Sequence, residues 1–255
     1  MHAKIACFFL CAYLATVAAA AGFAADPSID ASAIYAASHA SAVAKTDIIV
    51  SFPASSGGEK SVQIHGDWLN LEGVSAYYFT ASEGISFPLL NPLNVGSDMD
   101  VDCDGVNFQC SGNPDGQSET SFGALDAASV PWYVMPQTFW DAHRDIKPNA
   151  LDTVICDGKM FYGIFGDTNG DDPEVIGEAS LVLAQACFPD ENLGGDNGHT
   201  PLDVLYIIFG SKVPSGVGKE KIDIGALKTL GDEQVQLLAT ALSGSGSANS
   251  TITNP

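Results

Sequence analysis

The chain has 255 residues, of which 46% are hydrophobic, 9% aromatic and 16% charged, so it carries enough apolar surface for a packed core and too little charge for a disordered tail protein. Thirty-one Asp and Glu against ten Lys and Arg leave a formal charge of −21, which repels phosphate backbones and anionic lipid and excludes nucleic acid and membrane surfaces as natural partners. The acids are clustered: eleven, with no basic residue, lie between Lys60 and Arg144, and nine, again with none, between Lys159 and Lys212. A cationic ligand is the matching opposite, although an acidic surface also serves solubility alone.

In chain order, Lys4 precedes an apolar run over residues 5–21 that ends in small residues, the pattern of a secretory signal cleaved near Gly22. A membrane anchor is the rival, but the run is short and rich in alanine, and no later segment reaches eighteen consecutive apolar residues. The expected product is a soluble, secreted, extracellular monomer. Removing Lys4 takes its charge to 9 − 31 = −22. Cys7 and Cys11 leave with the signal, and Cys103, Cys110, Cys156 and Cys187 remain for two disulfides in an oxidising compartment. Three pairings are possible. The six residues between Cys103 and Cys110 favour a local bridge, which leaves Cys156 to Cys187. Zinc is the alternative use of four cysteines, but the chain has no CxxC pair and no His near any of them.

Helical spacing of Ile29, Ile34 and Tyr35 predicts a short helix within residues 26–45. Seven short runs rich in Val, Ile and aromatics follow, at 47–52, 61–65, 75–80, 132–135, 153–156, 160–165 and 204–209, divided by Gly, Pro, Asn and Asp. They predict a mainly β, mostly antiparallel sheet or barrel in a single domain over residues 22–242. Helices are expected at 179–186 and 232–242, and a Ser/Gly/Asn-rich disordered tail at 243–255, which holds the sequon Asn249-Ser250-Thr251.

Acids, glycine and aromatics concentrate between Cys156 and Pro189. Asp167 ends an apolar strand there, an acidic loop follows, and Glu178 lies on the returning segment. A hairpin of this kind puts two carboxylates on neighbouring backbone, where one can protonate a leaving oxygen while the other activates water. That division needs unequal proton affinities. Like charge and burial beside Tyr162 and Phe165 raise one of them, whereas a helix starting at Ala179 would oppose protonation of Glu178. The same residues offer a calcium reading, since Asp167, Asn169, Asp171 and Glu178 fall at positions 1, 3, 5 and 12 of a calcium loop; Asp172 stands where the turn demands glycine, and the preceding residues read as strand. Asp98, Asp100, Asp102 and Asp104 alternate along one strand face, an unfavourable arrangement unless a metal or amine cation arrives, and Ser111 stands at position 12 counted from Asp100. Among the histidines only His199 lies beside other polar residues of interest.

Six motifs in order, MDVDCDG (99–105), QSETSF (117–122), LDAASVPWYVMP (125–136), VICDGKMFYGIFGDTNG (154–170), IGEASLVLAQACFP (176–189) and NGHTPLDVLYIIF (197–209), resemble the fungal endo-chitosanases of glycoside hydrolase family 75. The resemblance implies inverting hydrolysis of β-1,4-linked glucosamine polymers without a metal or other cofactor, and a mainly β barrel of double-psi type. It maps the essential pair onto Asp167 and Glu178, with Glu178 as acid and Asp167 as base or the reverse. Chitosan, a polyamine, fits the acidic stretches; Asp100, Asp102 and Asp104 are the expected amine-binding residues, with Asn169 and His199 as further substrate contacts and Tyr162, Trp132 and Tyr133 as candidates for stacking on sugar rings. A calcium-stabilised, non-hydrolytic carbohydrate-binding protein is the alternative from another class.

Overall fold

The computed structural model describes residues 22–39, 48–55, 61–65, 77–81, 97–106, 108–113 and 116–247. The expected signal and the sequon lie outside them. The elements are α1 (Ala31–His39), β1 (Ile48–Pro53), β2 (Ser61–His65), β3 (Tyr77–Ala81), β4 (Ser97–Asp102), β5 (Trp132–Pro136), α2 (Gln137–Ala142), β6 (Leu151–Cys156), β7 (Lys159–Asn169), β8 (Glu178–Ser180), α3 (Leu181–Cys187), β9 (His199–Ile208) and α4 (Ile224–Ser247).

Six strands close on themselves in the order β9–β4–β8–β5–β7–β6 and back to β9, and β1–β2–β3 extend antiparallel from β9. The chain is therefore mainly β in one domain, as its short β-like runs imply. Its pairing is mixed rather than wholly antiparallel: β4 runs parallel to β8 and β5 to β7. Parallel neighbours need a crossover, which α2 and β6 supply between β5 and β7. Strands with both faces covered read as continuous apolar runs, and β5 and β6 are buried at every position. The barrel interior holds Tyr133 stacked on Phe165, ring centres 5.6 Å apart, with Tyr206 beyond.

On the outside, α4 packs against β6 and β7. Its buried Leu227, Gln234, Val235 and Leu238 recur at helical spacing, and the helix starts earlier than residue 232 and runs five residues into the segment expected to be disordered. The helix expected at 179–186 begins at Leu181 instead, because Glu178–Ser180 are drawn into β8 by pairing with both β4 and β5. Both disulfides pair as expected, Cys103 to Cys110 and Cys156 to Cys187, with Cα atoms 6.1 and 5.5 Å apart.

Two glycines decide which way the site residues point. Along β7, Tyr133 pairs with Phe165 but Val134 with Asp167, so Gly166 is the extra residue of a bulge. Strict alternation would send Asp167 inward with Phe165; the bulge turns it to the outer face. A Cβ on Gly166 would lie 2.5 Å from the Trp132 side chain, so the bulge requires glycine. Gly177, at φ 112° and with its would-be Cβ 2.2 Å from Asp98 Oδ1, turns the chain into β8. No helix among the described residues is long and apolar enough to cross a membrane.

Candidate active site

A polar cleft of about 300 Å3 opens on the outer face of β4, β8, β5 and β7, and Asp100, Asp102, Asp104, Asp167, Asn169 and Glu178 line it. Asp100 pairs with Glu178 across the parallel β4–β8 ladder, and so shares its face. Because Tyr133 opposes Ala179 in the antiparallel β5–β8 pair, Val134 stands beside Glu178; on its other side Val134 opposes Asp167. Glu178, Val134 and Asp167 thus form one row over three strands. Two strand spacings of about 4.8 Å put the Glu178 and Asp167 Cα atoms roughly 9–10 Å apart, with their side chains on the same face. The expected hairpin between the two acids is not what joins them, since β5 lies between β7 and β8.

The two carboxyls have different surroundings. Glu178 accepts one hydrogen bond, from Asn169 Nδ2 at 3.1 Å. Burial, then the negative charges of Asp102 and Asp100, push its pKa well above the usual carboxylate range. It is a strand residue, three positions ahead of a seven-residue helix, so the expected opposition from a helix start at Ala179 falls away. Asp167 is 6% exposed, and burial raises its pKa too. Against that, its Oδ1 accepts from Ser121 N at 2.8 Å, Ser121 Oγ at 2.6 Å and Thr168 N at 2.7 Å, all of which favour the ionised form. Burial raises both carboxyls, Glu178 with one hydrogen bond to oppose it and Asp167 with three, and unequal surroundings of this kind are what acid–base catalysis needs.

β4 supplies the remaining acids. Asp102 Oδ2 accepts from Trp132 Nε1 at 2.9 Å and its Oδ1 from Asp104 N at 2.8 Å, while burial and then the Asp167 charge push its pKa up to about 7. One oxygen each of Asp102, Asp104 and Asp167 come within 4.8 Å of one another. Burial also raises Asp100. Among the described residues none of Asp100, Asp102, Asp167 and Glu178 forms an ion pair. The calcium-loop geometry is not present: Asp167 and Asn169 belong to a strand, and Asn169 Oδ1 receives the backbone N–H of Asp171 and Val175, tying down the loop after β7.

Asp100, Asp102, Asp104 and Asn169 therefore join the catalytic candidates, but the other expected contacts do not. Tyr162 is fully buried beneath α4, where its hydroxyl donates to Asp232 at 2.8 Å, because its side chain leaves β7 on the side that the helix covers. His199 is 6% exposed, stacked on Phe188 and bonded to Glu191 and Asp203, which occupies both ring nitrogens, and it is not among the residues that line the cleft. Trp132 and Tyr133 are fully buried, so neither offers a ring to a sugar; Trp132 fixes Asp102 instead. Ser121 and Val134 were not singled out by sequence reasoning. The motif QSETSF contains Ser121, yet nothing in its local pattern ties it to a strand 46 residues away.

Residues 99–236 match the family model described as fungal chitosanase of glycosyl hydrolase group 75. Endo-chitosanase C of Aspergillus oryzae is 46% identical over 226 residues, 86% of this chain and 54% of that protein. An endo-chitosanase of Aspergillus fumigatus is 38% identical over 163 residues, 54% of this chain and 68% of the relative, and endo-chitosanase B of Aspergillus oryzae is 39% identical over a similar stretch. The chain spans about half the length of the first of these relatives. With the matched region running from the β4 acids through Asp167 and Glu178 into α4, this chain belongs to the group 75 family of fungal chitosanases.

Proposed function

We propose that this protein is a secreted endo-chitosanase that hydrolyses β-1,4-linked glucosamine by inversion, with Glu178 as general acid and Asp167 as general base. The observation that carries the reading is the row Glu178–Val134–Asp167, two carboxyls of unlike surroundings facing one acidic cleft. Glu178 gives its proton to the glycosidic oxygen as the bond to C1 breaks. Asp167 takes a proton from a water that attacks C1 from the opposite side. Carboxyl groups roughly 6.5–9.5 Å apart leave room for that water, and a row two strands wide is consistent with this range. Asp100 and Asp102 suit the 2-amino groups, since an ammonium ion relieves the repulsion among buried carboxylates.

The relatives' names support the substrate, and the apolar segment over residues 5–21 supports export. Purified protein is expected to release new reducing ends from chitosan and to lower its viscosity early, in the presence or absence of a chelator. Binding without new ends would favour the calcium-stabilised carbohydrate-binding alternative, whereas activity abolished by the chelator would contradict the metal-free mechanism. For export, the N-terminus of protein recovered from the medium is expected near Gly22.

A further inference from the structure

Asp167 is gripped at Oδ1 and stands among other carboxylates. A relay runs from Thr168 Oγ1 to Ser121 Oγ at 2.6 Å and from Ser121 Oγ to Asp167 Oδ1 at 2.6 Å, and the Ser121 and Thr168 backbone N–H groups reach the same oxygen. Oδ1 is saturated, which leaves Oδ2 to receive a proton from water. Asp104, just past the end of β4, has its Oδ1 held by Gln117 N at 2.7 Å, and one of its oxygens lies within 4.8 Å of one of Asp167.

From this geometry we infer that Ser121 and Asp104 are positioning residues with opposite effects on the base: the Ser121 hydroxyl steadies the ionised Asp167 and the Asp104 carboxylate unsettles it, so the two together fix the pH at which water activation begins. The inference rests on the reading of Asp167 as base. The groups facing Asp167 agree with it. Asp104 brings like charge from the loop after β4, Asp102 on β4 stands in the same cluster with its own pKa pushed up to about 7, Glu178 stands across Val134 on β8, and no Lys, Arg or His forms an ion pair with Asp167 among the described residues. The Ser121 hydrogen bonds are the largest influence lowering the Asp167 pKa after burial has raised it. Asp102 acts instead on Glu178, whose pKa it raises, and so on the opposite limb of a bell-shaped profile.

The test is the pH dependence of kcat/KM on a soluble glucosamine oligomer, with the Asp167 carboxyl followed by 13C NMR in the same variants. Ser121→Ala is expected to move the acid limb and the Asp167 titration up by about half to one pH unit, the size of a partly solvated hydrogen bond to a charged group. Ser121→Thr, which keeps the hydroxyl, restores the wild-type profile. Asp104→Asn moves the Asp167 titration and the acid limb to lower pH. Shifts of Ser121→Ala and Asp104→Asn in the same direction, or an Asp167 titration that neither variant moves, overturn the inference. A purely structural role would lower Tm or raise KM and leave the limbs in place. Asp167→Asn separates the two claims: if it keeps wild-type turnover the base assignment fails, whereas an inactive Asp167→Asn with an unmoved Ser121→Ala titration sinks only the present inference.

Discussion

His199 and the cleft are two places where this acidic protein gathers carboxylates, and they treat them in opposite ways. At His199 the imidazole sits between Glu191, 2.9 Å from Nδ1, and Asp203, 2.8 Å from Nε2, with Phe188 stacked on its ring. Burial pulls the His199 pKa down, but the bonds to Asp203 and Glu191 outweigh it and the net shift is upward. In the cleft, Asp100, Asp102, Asp167 and Glu178 stand together with no ion pair among the described residues. Paired acids hold a loop to a strand. Acids crowded without a cation cost stability, and they make sense where a cationic substrate and a proton are to be handled.

Both regions weaken as pH rises, for different reasons. The His199 contribution is fully present below the unfolded histidine value near 6.5 and is lost as pH climbs through the raised folded value. Glu178 and Asp102 have folded pKa values above their unfolded ones, so the folded state holds their protons more tightly; that contribution is complete below about pH 4 and fades as pH rises toward the folded values, about 7 for Asp102. Maximum stability is therefore expected in mild acid.

The largest effects are expected at the proposed catalytic pair. Glu178→Gln and Asp167→Asn are each expected to fold and to lose about 10²- to 10⁴-fold in kcat, since each removes a proton-transfer role; residual turnover well above about a hundredth of wild type counts against the residue. Glu178→Gln should also raise Tm above wild type at pH 7, with the gain vanishing near about pH 4, because above that pH the unfolded wild-type chain ionises Glu178 freely while burial resists its ionisation in the folded state, and an amide has no such mismatch. His199→Gln should do the reverse. It is expected to cost about 1 kcal/mol near pH 5, less than a fully buried charged hydrogen bond because Glu191 and Asp203 are 43% and 38% exposed, and to cost little above pH 8 while turnover largely persists. Thermal unfolding across pH reads both. The smallest effects concern binding: Asp100→Asn should raise KM on chitosan more than it lowers kcat, and added salt should raise the wild-type KM as the Debye length falls below about 10 Å. An Asp100→Asn variant that loses Tm at constant KM would return Asp100 to the structural side.

Much of this was legible from local pattern. The β-like runs at 61–65, 132–135 and 153–156 coincide with β2, β5 and β6 to within two residues, and the short loop between Cys103 and Cys110 correctly pointed to the local disulfide. What local pattern cannot carry is which strand comes to lie beside which. β5 slips between β7 and β8, so Asp167 and Glu178 meet across Val134 instead of across a turn, and three-residue β8 is too short to have a period of its own. Tyr162 and His199 misled for a related reason. An aromatic or a histidine near acidic motifs reads as a site residue until α4 or Glu191 covers it, and those partners lie 70 and 8 residues away. Ser121 went unnoticed because a serine has no signal beyond the acid it touches.

The division of labour between Glu178 and Asp167 is tested most directly by NMR of the first products from a β-linked glucosamine oligomer, before mutarotation. The α anomer must appear first if Asp167 activates a water across Val134 from the acid. Initial β product would contradict inversion and make Asp167 a nucleophile attacking C1 itself.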